Sequence, residues 1–296
     1  MILPSGYHDN ISMKDYLADP CAEPSLSTGT ICDLYERSPA HAFTHHPRLG
    51  KVPSNATTRG DVGSAVHSLS FGGADVRYVG NVSKRSGKEK GIPFLATDWS
   101  TADAQEAQAE IRESGAIPLL EHQRNDVERA SENVRKAIAE RFGSGKSEQT
   151  MVWQHNGVWH RGRADWLDDN SVTDVDLKTV DNADALNYVR RVLFSQGYDV
   201  QAGNRAIGHE VLGKPREMRW LLVELTRPWA THWLLASPRV LEGTRRKISH
   251  VQKLWRASLD AHATQAPNAW PAYGSAEVIV EPPPYVEWDL EARGVA

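Results

Sequence analysis

The arrangement of apolar and polar positions divides the chain into a helical first half, a strand-rich centre and a helical end. Thr28 to Glu36 reads as a short helix, stopped at Ser38-Pro39 because proline disfavours helical backbone in the residue before it. A second short helix is expected over Gly63–Leu69, and Lys84 to Thr101 carries loop signals only. Ala102–Gly115 and Leu119–Phe142 are rich in Ala, Glu, Gln and Arg, with Val127, Ala130, Val134 and Ile138 at helical spacing. That spacing predicts two helices, the second long.

Near Ser147 the period changes from four to two, and the alternation continues to about Val180, which predicts the sheet. Asn156-Gly157 signals a hairpin, because both residues accept the positive φ of a type I′ turn. A second turn is expected at Asp168-Asp169-Asn170-Ser171. Helical periodicity returns from Ala183 to Val211. Strands are expected over Met218–Leu225 and Thr231–Ala236 around an Arg227-Pro228 turn, then an amphipathic helix over Arg239–Ala261 and a proline-rich tail. The fold class expected is α/β, a mixed central sheet flanked by helices in one domain. Within it, residues 1–146 form a mainly helical elaboration, 147–236 the sheet-and-helix core, and 237–296 the last helix and tail.

The 296 residues, 40% of them hydrophobic, suffice for a full core. A net charge of −4, from 38 acidic and 34 basic residues, excludes a protein that coats nucleic acid through its overall field, so any DNA contact must be local. Lys84-Arg85-Ser86-Gly87-Lys88-Glu89-Lys90-Gly91 reads either as such a surface or as a solvated loop. The two cysteines, Cys21 and Cys32, supply neither a disulfide framework nor a four-cysteine cluster, which fits a reducing cytoplasm. Residues 1–10 lack the features of a signal peptide, and no apolar run reaches the ~18 residues of a membrane span.

The candidate chemistry sits on the predicted sheet. Strand alternation places Trp159, Arg161, Arg163, Asp165 and Leu167 on one face and Val158, His160, Gly162, Ala164 and Trp166 on the other. Asp174, Asp176 and Lys178 likewise share a face. A two-residue Asn156-Gly157 turn sets Glu148 opposite Asp165, and a two-residue loop at Asp169-Asn170 sets Asp165 opposite Asp174 and diagonal to Asp176. Carboxylates crowded in this way repel unless a cation binds them, and hard oxygen ligands suit Mg²⁺ or Mn²⁺. Phosphodiester cleavage needs such a cation and a group that orients or deprotonates water. Asp165 and Asp176 are the expected metal ligands, Lys178 sits where it can orient or deprotonate a metal-associated water, and Arg161 and Arg163 are candidate phosphate contacts. The competing reading is a set of ordinary strand-surface salt bridges, and Asp174 is the member most open to it.

These residues lie within an ordered series. It runs from Ser25-Leu26-Ser27, Ser38-Pro39-Ala40 and Gly63-Ser64-Ala65-Val66-His67 to Glu148 before Val152-Trp153. It continues through Arg163-Ala164-Asp165, Asp176-Leu177-Lys178-Thr179 and Tyr198-Asp199-Val200-Gln201, then Val223-Glu224 before Pro228, and Trp270-Pro271-Ala272-Tyr273. The series resembles the RecE-type exonucleases of phages and prophages, within the PD-(D/E)XK superfamily, over nearly the whole chain. The resemblance implies a restriction-endonuclease-like core and, in addition to the ligands above, His67 as an active-site or metal-binding histidine and Glu148 as a further carboxylate. It also implies that Tyr198 and Gln201 are helix residues steadying substrate or ligands. Family members often carry an aromatic four residues after this glutamine; here Arg205 stands there, and an arginine could contact phosphate. Read without the resemblance, His67 is a half-buried structural histidine and Tyr198 and Gln201 are ordinary packing. Trp153, Trp159 and Trp166, on regular strands, are core residues before they are base-stacking platforms.

The function expected is Mg²⁺-dependent digestion of one strand of linear double-stranded DNA. The resemblance implies 5′ to 3′ polarity, a 3′ single strand left for a RecT-like annealing protein, and a homo-oligomeric ring. A structure-specific or restriction-type endonuclease with the same core is the alternative. An inert DNA-binding protein that kept the fold is a third reading, against which the retained Asp165, Asp176 and Lys178 weigh.

Overall fold

A computed structural model describes all residues except 53–57, 84–89, 170–171, 263–268, 275–276 and 296. Its first part runs β1 (Gly6–His8), α1 (Met13–Leu17), α2 (Thr28–Cys32), α3 (Pro39–His45), α4 (Thr58–Phe71), β2 (Val76–Val79), β3 (Asn81–Ser83), β4 (Pro93–Leu95), α5 (Ala102–Glu113), β5 (Ile117–Leu120) and α6 (Arg124–Arg141). The rest runs β6 (Gly145–His155), β7 (Val158–Asp168), β8 (Thr173–Val180), α7 (Ala185–Tyr188), α8 (Tyr198–Val211), β9 (Glu217–Glu224), β10 (Thr231–Leu235), α9 (Pro238–His262) and α10 (Pro284–Ala292). Single π-helical turns at Asp33–Arg37 and Val189–Leu193 extend α2 and α7. The basic stretch from Lys84 and Arg85 to Glu89 lies outside the described residues.

The main sheet has the order β1-β6-β7-β8-β9-β10, antiparallel throughout except for the parallel pair β8 and β9. Between those two the chain crosses over through α7 and α8, as a parallel pair requires. Helices cover both faces. On one, α4 and α6 pack Ala65, Val66, Val127, Ala130 and Val134 against Val175 and Leu177 of β8 and Leu221 and Val223 of β9. On the other, Ala202 and Ala206 of α8 meet Met218, Trp220 and Leu222, and α9 closes over α8 with Ile248, Val251 and Trp255. Among the described residues, no helix is long and apolar enough to cross a membrane.

Asn156 and Gly157 have φ of 52° and 73° and join β6 to β7 in the register expected. The next register differs. β7 ends at Asp168 and β8 starts at Thr173, so residues 169–172 connect them rather than a two-residue loop, and Leu167 pairs with Asp174 and Trp166 with Val175. That shift of two keeps the polar face together but sets Asp165 level with Asp176 instead of Asp174. Alternation along β7 is also broken. His160 and Gly162 face α8, through a bond from His160 to Asn204 and contact of Gly162 with Arg205, whereas Trp166 joins the cluster under α4 and α6. Glu148, at the same level on β6, has φ 56°, and this left-handed residue interrupts the regular ladder there.

The first 146 residues are less helical than expected. β1 extends the main sheet, and β2 with β5 and β3 with β4 form two small sheets beside α5. These strands have three or four residues each, too few for a period to register. The expected helix over Leu119–Phe142 begins only at Arg124, because Ile117–Leu120 pairs with β2. The helix expected over Ala183–Val211 is interrupted before Gly197, whose φ of 67° opens α8.

Two glycines set how closely α8 packs against its neighbours, α9 on one side and β6 on the other. A Cβ on Gly203 would lie 2.3 Å from Thr244 Cγ2 on α9, and one on Gly208 would meet Met151 and Trp153 on β6 at 2.9 to 3.0 Å. Gly203→Ala is expected to lose about 1–2 kcal/mol of stability in urea melts, because overpacking against the stiff, buried Thr244 costs more than the ~1 kcal/mol of helix propensity gained. Unchanged or raised stability would mean that α8 and α9 are not in this contact.

Candidate active site

β7 and β8 pair at Trp166↔Val175 and Leu167↔Asp174 and then part, and the candidate site occupies this fork. The backbone groups that the fork frees need partners. Leu177 N–H donates to Asp165 Oδ2 at 2.7 Å, and the Arg163 carbonyl accepts from Arg205 Nη1 at 3.1 Å. The ladder is replaced by side chains at the place where the carboxylates sit.

From one side α4 delivers His67. Gly63 allows the approach, since a Cβ there would be 3.1 Å from Thr179 Oγ1, while Ala65 and Val66 anchor the helix in the core. His67 Nε2 lies 2.8 Å from Asp165 Oδ2, and Nδ1 lies 2.9 Å from Glu148 Oε1. Arg163 Nε donates to the other oxygen of Glu148. Burial alone would lower the His67 pKa, but Asp165 and Glu148 outweigh it and raise it to about 10. For Asp165, burial is opposed and overcome by His67, then by Lys178 and Arg205, which hold its carboxyl well below the usual carboxylate range. Glu148 is lowered likewise, burial being outweighed by His67 and Arg163.

From the other side α8 covers the polar face of β8. Lys178 Nζ is 2.6 Å from Asp176 Oδ2, donates to Gln201 Oε1 at 3.0 Å, and lies 4.3 Å from the centre of the Tyr198 ring. Arg205 Nη1 donates to Asp176 Oδ1 at 2.8 Å, and its Nε is 3.0 Å from Asp174 Oδ2. His209 Nε2 lies 2.8 Å from the same Asp174 oxygen, and its Nδ1 meets the Tyr7 hydroxyl from β1 at 2.7 Å. Asp174, Asp176 and Arg205 are all buried.

The structure therefore brings together His67, Glu148, Asp165, Asp176, Lys178, Tyr198 and Gln201, with Arg163 holding Glu148. Three expectations change. Arg161 is buried in an ion pair with Asp19 at 3.1 Å and bonded to Ser25 Oγ at 2.6 Å, so it is not placed to meet a phosphate. Arg205, only 1% exposed and held between two carboxylates, is likewise no phosphate contact. The carboxylates do not face one another uncompensated, because His67 lies between Glu148 and Asp165, Arg163 pairs with Glu148, and Lys178 and Arg205 flank Asp176.

Sequence reasoning named Asp174 and Arg205 without linking them, and missed His209 and Tyr7, which continue the string. A signal existed: Gln201, Arg205 and His209 recur every fourth residue, a polar stripe along a largely buried helix. Among the described residues, no group of three or more His, Cys, Asp and Glu side chains is arranged as a ready metal cage. The donor chemistry still fits a hard divalent cation. Asp165 and Asp176 stand level across the fork, and Asp176 Oδ2 is buried without a well-formed hydrogen bond, having only the Lys178 ammonium as counter-charge.

Neither a protein-family model nor a curated protein sequence matches the chain. Among solved structures it is similar to a protein from Eubacterium rectale provisionally described as an exonuclease, with a TM-score of 0.53 and 12% identity over 95% of this chain and 98% of that one. Weaker likenesses are a phage-related exonuclease from Haemophilus somnus, with TM-score 0.33, 12% identity, and 66% and 94% of the two chains covered, and an alkaline exonuclease from Laribacter hongkongensis, with 0.30, 11%, and 54% and 84%. The fold is thus the mixed α/β, PD-(D/E)XK-like one expected from the sequence.

The pKa of His67, raised from ~6.5 when unfolded to about 10, contributes stability that is complete below ~6.5 and lost as pH rises through the folded value. In EDTA, wild type is expected to lose more unfolding free energy than His67→Gln between about pH 6 and pH 10, by roughly 1–3 kcal/mol. Urea melts at both ends of that range test it. Parallel pH profiles for the two proteins would show that the His67 ion pairs do not form.

Proposed function

We propose that this protein is a metal-dependent deoxyribonuclease that degrades linear double-stranded DNA from its ends. The observation that carries the reading is the fork of β7 and β8, with Asp165 and Asp176 level across it and Lys178 fixed by Asp176, Gln201 and Tyr198. The exonuclease description of the Eubacterium rectale protein, whose fold this chain shares, supports the same direction. Asp165 and Asp176 would hold Mg²⁺, or Mn²⁺ in its place, with Glu148 and His67 beside them. When bound, the ion supplies charge neutralisation at the phosphate and lowers the cost of ionising a water nucleophile.

The chain's own residues do the rest. Lys178 presents an ammonium at the fork, restrained from two sides, where it can orient the attacking water or stabilise charge on the phosphate oxygens. Gln201 and Tyr198 fix its position, so that little orientation remains to be lost in the reaction. Polarity from 5′ to 3′ and action before an annealing protein complete the proposal and rest on the sequence resemblance.

Duplex DNA labelled at one end, incubated with Mg²⁺, should lose label from linear molecules, while EDTA stops the reaction and closed circular DNA stays intact. Cutting of the closed circle would point instead to an endonuclease. Lys178→Ala, checked by thermal melt to be folded, should reduce the rate at least about a hundredfold, in the range set by general acid–base and electrostatic groups. For Asp176 the informative change is Asn. Alanine there would take one of its two carboxylates from the buried Arg205 and so lower stability, mixing folding with chemistry. Wild-type rates from pure, folded Lys178→Ala would sink the assignment.

A further inference from the structure

We infer that Arg205 is a positioning residue: its guanidinium fixes the orientation of Asp176, presenting Oδ2 to the site, and sets the width of the fork between β7 and β8. The inference rests on the reading of Asp165, Asp176 and Lys178 as an active centre, and it gives a task to a residue that this reading leaves unused. Arg205 reaches three partners on two strands. Nε approaches Asp174 Oδ2 at 3.0 Å, and Nη1 donates both to Asp176 Oδ1 at 2.8 Å and to the Arg163 carbonyl at 3.1 Å. The first two contacts lie on β8 and the third on β7, across the gap where the ladder has ended. A planar guanidinium can hold such a set at fixed angles, and a lysine ammonium cannot.

The simpler account is charge balance, in which a buried cation accompanies buried acids. Asp174 alone would neutralise Arg205, and His209 also stands beside Asp174 at 2.8 Å. Charge balance gives no reason for the second carboxylate to be Asp176 or for the link to the β7 backbone. It also carries a penalty, because a fixed cation 2.8 Å from a metal-ligand carboxylate repels a divalent ion. The arrangement favours metal binding only if the order it imposes on Asp176 outweighs that repulsion. The two accounts therefore predict opposite signs when Arg205 is disturbed.

Mn²⁺ is titrated calorimetrically into metal-free wild type, Arg205→Lys and the double variant Asp174→Asn/Arg205→Gln, each first checked by thermal melt. Arg205→Lys keeps the charge and loses the fork of donors; the double variant removes one charge of each sign and loses the donors too. Both are expected to bind Mn²⁺ about tenfold more weakly than wild type, as is usual when a supporting contact to a metal ligand is lost. Arg205→Lys should also lower kcat on duplex DNA while KM is unchanged. Should Arg205→Lys fail to fold, the double variant carries the test by itself. Mn²⁺ binding as tight as or tighter than wild type in a folded variant would leave Arg205 as a charge balancer and overturn the inference alone. A wild type that takes up no Mn²⁺ would sink the metal-dependent reading and this inference with it.

Discussion

A strand whose charged face is buried beneath a helix has to be neutralised from within the fold, and much of the geometry here follows from that constraint. Asp174, Asp176 and Lys178 lie on one face of β8, and α8 runs over them. Left unpaired, any of these charges would cost several kcal/mol. The match is metric as well as electrostatic. Four residues of helix advance ~6 Å and two residues of strand ~6.6 Å, so a helix stripe with a period of four stays in step with one strand face. Gln201 meets Lys178, Arg205 meets Asp176 and Asp174, and His209 meets Asp174, in reversed order because the two elements run in opposite directions. Gly208, against Met151 and Trp153 of β6, lets the helix lie deep enough for these short side-chain reaches, and Gly203 lets α9 close over its other side.

The other half of the centre is assembled differently. His67 arrives on α4, from the face whose packing is apolar, and reaches the carboxylates only because β7 and β8 have parted. Opening a sheet in this way exposes backbone donors and acceptors, and the same side chains that define the site satisfy them: Asp165 takes the Leu177 amide and Arg205 the Arg163 carbonyl. Removing a site residue therefore also removes a structural bond. At Asp165 and Arg205 the bond lost is to the backbone, whereas the partners of Lys178, which are Asp176, Gln201 and Tyr198, are all side chains.

The sequence carried the long elements clearly. The central hairpin was legible from Asn156-Gly157, α6 from Val127, Ala130, Val134 and Ile138, and the polar face of β8 from three charges spaced by two. What it could not carry was register across a connection of unknown length, so Asp165 was placed opposite Asp174 when it stands level with Asp176. Nor could it carry the left-handed Glu148 on β6, or the break in alternation on β7 that turns Trp166 toward α4 and α6. The arginines show the limit most clearly. Arg161, Arg163 and Arg205 look alike in a list of cations, yet Arg161 is consumed by Asp19, Arg163 by Glu148 and Arg205 by two aspartates. Ion pairing between residues distant in sequence leaves no local trace.

The parallel pairing of β8 with β9 bears on how the molecule comes into being. A parallel neighbour can be reached only by a crossover, so β8 gains its second partner after α7 and α8 have been made and the chain has returned. During synthesis the segment with His67 is finished early, the hairpin of β6 and β7 next, and the helix that neutralises β8 later still. Until α8 and β9 fold back, Asp174 and Asp176 have no guanidinium between them and Lys178 has no fixed place. A partly made chain thus holds His67, Glu148, Asp165, Asp176 and Lys178 without the partners that α8 brings to β8, and those partners arrive only when the crossover closes.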